Sequence, residues 1–403
     1  MAYQDKSSRA VSVGSVKIGG AAPVSVQGMT KTKTADYKAT RNQLRKLELT
    51  GAEIIRMAIR DEEDLVSFRR LKKRAGVPLV ADIHFRSDLA IGAISAGADK
   101  IRLNPGNISD PKKLREIIRT AKKAGVAIRV GVNAGSLKSS LSLHSLGRDG
   151  FPLTTRGNDR GQVRGNDRGQ VRGNDRGQVR GNDREVERLA KKMVSAASDY
   201  ISLFEREGFQ SLIVSLKAST VRTTILANRL FRRRFDYPLH LGITEAGRGA
   251  LAVIKSALGI GSLLQEGIGD TIRVSLSAPP EEEVEIGRRI LQALGLCSFY
   301  PEVISCPTCG RCQIDFFAVL DRVESGIRKL PGYPERYAGL KVAVMGCEVN
   351  GPGEASSADI GIAGGRGMGL LFSRGKVIAK VPETGLAGRL LQELRKFYTG
   401  RAR

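Results

Sequence analysis

KIRLNPGNISDPKKLREIIRTAKKAGVAIRVGVN (100–133) contains one complete strand–helix–strand unit. Its first run, Lys100–Asn104, and its last, Ala127–Asn133, are rich in β-branched residues; between them lies an amphipathic helix opened by Asp110 and closed by Gly125. Two strands joined through a helix form a parallel crossover, which buries the strands on both faces. The same alternation extends outward in both directions. Strands are expected at Pro23–Gln27, Glu53–Ala58, Pro78–Ile83, Lys100–Asn104, Ala127–Asn133, Ser211–Lys217, Leu239–Thr244 and Thr271–Ser277. Helical patterns separate them, such as TADYKATRNQLRKLELTG (34–51), capped by Thr34 or Asp36 and closed by Gly51. Eight such units in about 250 residues predict an α/β fold, a (β/α)8 TIM barrel.

The polar residues in these strands say more than the count does. Strands buried on both faces should be almost wholly apolar, yet these carry polar and charged residues at their C-terminal ends. In order they are Arg56; Asp82 and His84; Arg102 and Asn104; Arg129 and Asn133; Ser215 and Lys217; His240, Thr244 and Glu245; Arg273 and Ser275. Any one of them alone would read as a surface or core-capping residue. Together they converge on the mouth where barrel enzymes keep their chemistry. Four arginines and a lysine facing only Asp82 and Glu245 make an anion site, and the expected ligand is a phosphate or diphosphate.

The chain of 403 residues has 66 Lys+Arg against 41 Asp+Glu, a net charge of +25 that attracts polyanions without choosing among them. Aromatics are only 5% and do not interleave with the basic residues, which disfavours a nucleic-acid partner. No run reaches the roughly 18 apolar residues of a membrane span, and MAYQDKSSRA (1–10) has no leader-like apolar core, so a cytoplasmic location is expected. From Gly157 the unit GNDRGQVR occurs three times (157–164, 165–172, 173–180) and breaks off at Arg184. With only Val163, Val171 and Val179 to bury, the insertion at about 156–184 reads as a flexible, inert loop in preference to an RNA-binding arm.

Composition shifts near Leu294–Pro301, which divides the chain into a barrel domain (1–294) and a smaller α+β domain (295–403). The second domain holds Cys306, Cys309 and Cys312 in CPTCGRC, and Cys347 in KVAVMGC, followed by EVNGPGEA with Asn350 and Glu354. Five cysteines, four of them crowded together, do not form a secreted disulfide framework. The spacing suits an iron–sulfur cluster or a structural zinc; Pro307 and the lack of a second CxxC favour the cluster. Glu354 reads equally as a weak ligand or as a turn residue. Two other readings compete: a basic RNA-binding protein with a zinc knuckle, and a zinc-dependent barrel hydrolase or aldolase acting on a sugar phosphate. Neither accounts for NGPGE or for the whole set of strand ends.

ADIHF, RLNPGN, GVNAGS, HLGITEAG, EGIGDTIRVSL, CPTC and GCEVNGPGEA together resemble the bacterial, flavodoxin- or ferredoxin-dependent 4-hydroxy-3-methylbut-2-enyl diphosphate synthase family, from about Val11 to the C-terminal helix. The repeat insertion departs from that pattern. The resemblance implies reductive ring opening of 2-C-methyl-D-erythritol 2,4-cyclodiphosphate, with electrons delivered one at a time through a 4Fe-4S cluster. It also implies Cys306, Cys309, Cys347 and Glu354 as cluster ligands, with Cys312 outside them. Cys297 reads as a buried structural thiol.

On that resemblance Arg56, Arg102, Arg129, Lys217 and Arg273, helped by Asp82, His84, Asn104, Asn133, Ser215, His240, Thr244, Ser275 and Asn350, hold the diphosphate. Glu245 is the candidate proton donor. That role needs a raised pKa, which nearby cations oppose. A homodimer is implied, in which the cluster domain of one subunit closes over the barrel mouth of the other, and the basic surface suits an acidic flavodoxin or ferredoxin.

Overall fold

Strands buried along nearly their whole length alternate with helices that bury one face, and in a computed structural model of the chain the eight pairs close on themselves. The structure describes residues 8–84, 86–104, 108, 110–138, 175–347 and 357–400. By compactness the chain divides into two units, Met1–Ile290 and Leu291–Arg403.

The first unit opens with an antiparallel hairpin, β1 (Val11–Val13) and β2 (Val16–Ile18). Eight parallel strands follow: β3 (Ser25–Met29), β4 (Ile54–Ile59), β5 (Leu79–Ile83), β6 (Lys100–Leu103), β7 (Ala127–Asn133), β8 (Leu212–Lys217), β9 (His240–Leu241) and β10 (Thr271–Ile272). Each is followed by a helix: α1 (Tyr37–Leu49), α2 (Glu62–Lys72), α3 (Ser87–Ser95), α4 (Pro111–Ala124), α5 (Asp175–Arg206), α6 (Val221–Arg232), α7 (Gly249–Gln265) and α8 (Pro280–Ala293). The sheet runs β8-β7-β6-β5-β4-β3-β10-β9, and a single bridge from Val214 to Leu239 brings its two edges together as a barrel.

Local chemistry sets the helix ends. Asp36, Asp61, Asp110 and Thr220 each accept a backbone N–H of the first turn, and Gly125 closes α4 in the left-handed conformation. Two strands are shorter than the apolar runs suggest, β9 and β10 having two residues each. Gly242 shows why the chain leaves ladder geometry there. A Cβ on it would lie 2.5 Å from the Arg273 carbonyl oxygen and 2.6 Å from Lys217 Nζ, so at this point backbone and a mouth side chain take the space of a strand residue.

The repeat tract corrects one expectation. Its last ten residues, 175–184, are helical and extend α5, whereas a loop was expected through 184. Adding turns to a helix already nucleated by the amphipathic 185–206 segment costs far less than starting one, and this offsets the roughly 1 kcal/mol penalty at each of Gly177 and Gly181. The tract before Asp175 lies outside the described residues.

The hairpin plugs the floor of the barrel. Val11, Val13 and Ile18 pack against the inward-facing Ile54, Val80, Ala127 and Ile213 in one buried cluster. Ile18→Ala is expected to cost about 2–5 kcal/mol, seen as a lower denaturant midpoint with ligand affinity at the mouth unchanged.

The second unit is α+β. Its sheet runs β11 (Glu302–Ser305), β12 (Lys341–Met345), β13 (Ile360–Gly364), β14 (Met368–Ser373) and β15 (Lys376–Pro382), the first three parallel and the rest antiparallel. Helices α9 (Phe316–Arg328) and α10 (Leu386–Gly400) cover one face of this sheet through Val319, Val323, Ile327, Leu386, Leu390 and Leu394. Asp315 caps α9 by accepting from the Ala318 N–H.

Candidate active site

Strand register builds the mouth of the barrel. Across β5, β6 and β7 the partners Asp82, Arg102 and Arg129 stand side by side, and across β7 and β8 Gly131 pairs with Ser215 and Asn133 with Lys217. Partners in a parallel ladder share a face, so these residues point together into the barrel. All but Gly131 line a cavity of about 170 Å³ with Arg56, His84, Ile243, Thr244, Arg273 and Ser275. Five cations and one carboxylate, Asp82, therefore share its walls.

Asp82 is the electrostatic hinge of the group. Its Oδ1 accepts from Arg102 Nη1 at 3.3 Å and its Oδ2 lies 3.7 Å from Arg56 Nε. Burial alone would raise its pKa, but Arg56, the His84 hydrogen bond and Arg102 outweigh burial and hold the carboxyl well below its ordinary value. Arg102 Nη1 also lies 2.7 Å from His84 Nε2, the ring nitrogen that stands 3.5 Å from Asp82 Oδ1. Arg56 directs Nε and Nη2 at the Met29 sulfur, 3.1 and 2.8 Å away.

One carboxylate cannot satisfy five cations. Burial, Arg56 and Arg102 all oppose the charge on Arg129, whose Nε and Nη1 have no hydrogen-bond partner. Burial and then Arg129, Arg273, Arg56 and Arg102 push the Lys217 amine far below its usual pKa. Burial and Arg56 bring Arg273 down to about 10 against the opposing pull of Glu283. A dianionic ligand would supply the missing partners, and arginine forks are shaped for phosphate oxygens.

The other expected site residues fall elsewhere. His240 is fully buried, below the lining residues, and neither ring nitrogen has a partner. Asn104 is half-buried and is not among the lining residues. Glu245 is exposed beside Thr244 with φ 55°, a left-handed conformation rare for a non-glycine residue. Asn350 and Glu354 lie outside the described residues.

Sequence reasoning missed Glu283, Met29 and Ile243. Glu283, in the first turn of α8, is 2% exposed. Its Oε1 accepts from the Leu276 N–H at 2.8 Å and from Lys31 Nζ at 2.9 Å, and its Oε2 from Arg273 Nη2 at 3.3 Å. It thus holds Arg273 toward the mouth from behind. In PEEEVE (280–285) it reads like any acidic first turn that complements the helix dipole. Glu283→Gln is expected to raise KM about tenfold with kcat changed far less, the loss of roughly one charge-assisted bond; steady-state kinetics checks it.

In the second unit, β11 and β12 are adjacent and parallel, with Ser305 beside Val344, so Cys306 and Cys347 follow neighbouring strand ends at one edge of the sheet. The Gly346 N–H donates to Cys306 Sγ at 3.2 Å. A Cβ at Gly346 would lie 2.8 Å from Cys312 Sγ and 3.5 Å from Cys306 Sγ, so glycine lets both sulfurs approach the backbone. The Cys312 thiol donates to the Ile314 carbonyl at 3.4 Å and packs against the core. Cys309 is exposed, and Cys347 is buried. Thr308, between the first two cysteines, has φ 64°, a genuine outlier for a β-branched residue. Cys297 is half-buried instead of buried. Among the described residues no three such donors converge on a point where one metal ion could sit. Thiolates on adjacent strand ends and a backbone N–H to sulfur suit an iron–sulfur cluster, whose ligands stand around a larger group.

A parallel barrel with a cationic mouth, followed in the chain by a unit with cysteines at its strand ends, defines a two-domain α/β-barrel protein built around an anionic ligand. Residues 8–160 and 161–288 match the GcpE TIM-barrel domain, and residues 302–396 the GcpE protein C-terminal domain. The chain is 45% identical over 388 residues to the 4-hydroxy-3-methylbut-2-en-1-yl diphosphate synthase (flavodoxin) of Geobacillus thermodenitrificans, covering 96% of this chain and 91% of that protein. It is 43% identical over 391 residues to the enzyme of the same name from Thermodesulfovibrio yellowstonii, covering 97% and 99%. The chain belongs to the GcpE family.

Proposed function

We propose that the chain catalyses reductive ring opening and dehydroxylation of 2-C-methyl-D-erythritol 2,4-cyclodiphosphate to 4-hydroxy-3-methylbut-2-enyl diphosphate, a step in isoprenoid precursor synthesis. The observation that carries this reading is the mouth lined by Arg56, Arg102, Arg129, Lys217 and Arg273 with Asp82 as its only lining carboxylate among the described residues. A cyclic diphosphate is a compact dianion of the kind such a mouth lacks. Cys306, Cys309, Cys347 and Glu354 would hold a 4Fe-4S cluster, which supplies two electrons one at a time from flavodoxin or ferredoxin. The chain's own residues bind and orient the diphosphate, and the arginine forks stabilise the charge that develops on its departing oxygen.

Glu245, on the strained turn after Thr244, donates the proton that lets the hydroxyl leave as water. Glu245→Gln is expected to lower kcat by about 10²–10⁴-fold while the visible absorbance of the cluster is retained; full turnover in that variant would remove the assignment.

The exposed apolar stripe Leu251, Ile254 and Leu258 on α7 supports a homodimer, for which sedimentation at twice the chain mass is expected. No helix among the described residues is long and apolar enough to cross a membrane. An enzyme that consumes reduced flavodoxin or ferredoxin works in the cytoplasm.

Anaerobic purification with iron, sulfide and turnover assays tests the whole reading. A brown protein with about four irons per chain that opens the cyclodiphosphate is the expected result. A colourless protein holding one zinc after attempted cluster reconstitution would overturn it.

A further inference from the structure

Below the mouth lies a lysine that the reaction outlined above does not use. Lys100, the first residue of β6, is two positions before Arg102 and therefore on the same inward face, one level deeper, about 6.6 Å along the strand. Its register partners Val80 and Ala127 belong to the apolar floor. The side chain is fully buried and Nζ has no hydrogen-bond partner. Polar groups on other inward strands are equally unmatched: both ring nitrogens of His240, whose charge Lys100 opposes, Gln27 Oε1 and Nε2, Ser25 Oγ and Thr271 Oγ1. Ser25, Thr271 and His240 are direct register neighbours on β3, β10 and β9.

The charged and titratable groups facing this layer come from every barrel strand but β3: Arg56 on β4, Asp82 on β5, Arg102 on β6, Arg129 on β7, Lys217 on β8, His240 on β9 and Arg273 just after β10. The floor hairpin packs Val11, Val13, Val16 and Ile18 against the barrel bottom. With Glu283 behind Arg273 and Lys31 also bonded to Glu283, seven lysines and arginines share two carboxylates, and neither carboxylate is bonded to Lys100. A buried ammonium with no partner among so many cations is a costly charge to keep in the barrel.

We propose that Lys100 stands as a neutral amine in the ligand-free barrel and takes a proton from solvent when a phosphate anion enters the mouth above it. The proposal rests on the reading of the mouth as a phosphate site. The arriving negative charge stabilises the ammonium, so the anion and the proton bind together and each strengthens the other. In accord with this, burial and then Arg129 and Arg56 push the Lys100 amine far below its ordinary pKa. The same charge also acts on Lys217, which touches the cavity; Lys100 differs in that it senses the ligand without contacting it. Substrate affinity should then weaken as pH rises above the pKa of Lys100 in the complex, because the proton no longer accompanies the anion.

The test is calorimetric titration of the holoenzyme, without reductant, with 2-C-methyl-D-erythritol 2,4-cyclodiphosphate near neutral pH in two buffers of different ionisation enthalpy. The wild type is expected to take up about half a proton or more per site, and Lys100→Met, which keeps the length and removes the amine, to take up about half a proton less. Equal uptake in the variant overturns the proposal and assigns the proton to His240 or Lys217. Binding without uptake in the wild type overturns it with no recourse to a variant. Failure of the wild type to bind the cyclodiphosphate at all would instead remove the phosphate reading of the mouth, and this proposal with it.

Discussion

Arg129→Met is expected to lower kcat/KM by about 10²–10⁴-fold while raising the melting temperature by a few degrees. The first effect follows from losing a guanidinium fork aimed into the mouth: two charge-assisted bonds to phosphate oxygens at about 1.5–3 kcal/mol each amount to two to four decades in rate. The second follows from the surroundings of Arg129. It is 2% exposed, it stands beside Arg102 in the ladder, and two of its nitrogens have no partner. Burial, Arg56 and Arg102 all work against its charge. Removing a buried cation that its neighbours repel relieves a folding cost, and methionine fills the space without a polar atom. Opposite signs are the discriminating result. A scaffold residue would lose stability and activity together, whereas a group kept for its ligand at the expense of the fold loses one and gains the other. Thermal denaturation and steady-state kinetics on one preparation check both.

Cys306→Ser is expected to reduce bound iron from about four atoms per chain to near none and to abolish turnover, with cyclodiphosphate binding at the barrel retained. Cys306 leaves β11 beside the end of β12 and accepts the Gly346 N–H on its sulfur, so the thiolate stands where backbone fixes it. Serine supplies a harder oxygen ligand that iron–sulfur clusters hold poorly. The control is Cys312→Ala. The Cys312 thiol already has a partner in the Ile314 carbonyl and packs on the core, so this variant should keep most of its iron and show only a modest loss of stability. If the two variants exchanged phenotypes, the ligand set would have to be redrawn with Cys312 in place of Cys306. Iron assay and visible spectroscopy under anaerobic conditions decide it.

The barrel was legible because its two periodicities are clean: buried runs of five and six residues in β5 and β7, and helices with one apolar stripe and a named cap. The mouth was legible for the opposite reason, since Arg56, Arg102, Arg129 and Arg273 break a rule that buried parallel strands otherwise obey. What escaped was whatever depends on facing and depth. His240 reads as a strand-end residue when β9 is taken to span 239–244, but the strand is only His240–Leu241, and its register with Thr271 puts the ring in the layer below the mouth. Lys100 follows from the same alternation that turns Arg102 inward, a signal present in KIRL that needs the phase of the strand to read. Glu283 could not be separated from Glu281 and Glu282 by type or spacing; only the fold shows which of the three turns toward Arg273. The end of the repeat tract was misjudged because composition describes a segment alone, while helix growth depends on what it is attached to.

The hairpin seated in the barrel floor also bears on traffic. With Val11, Val13 and Ile18 filling the bottom, the barrel is closed at its floor, and among the described residues a molecule that enters by the mouth finds no way out below. Substrate and product therefore share one doorway. Turnover proceeds as an exchange at a single opening, product inhibits as a direct competitor for entry, and a blocker wedged in the rim traps whatever already lies beneath it.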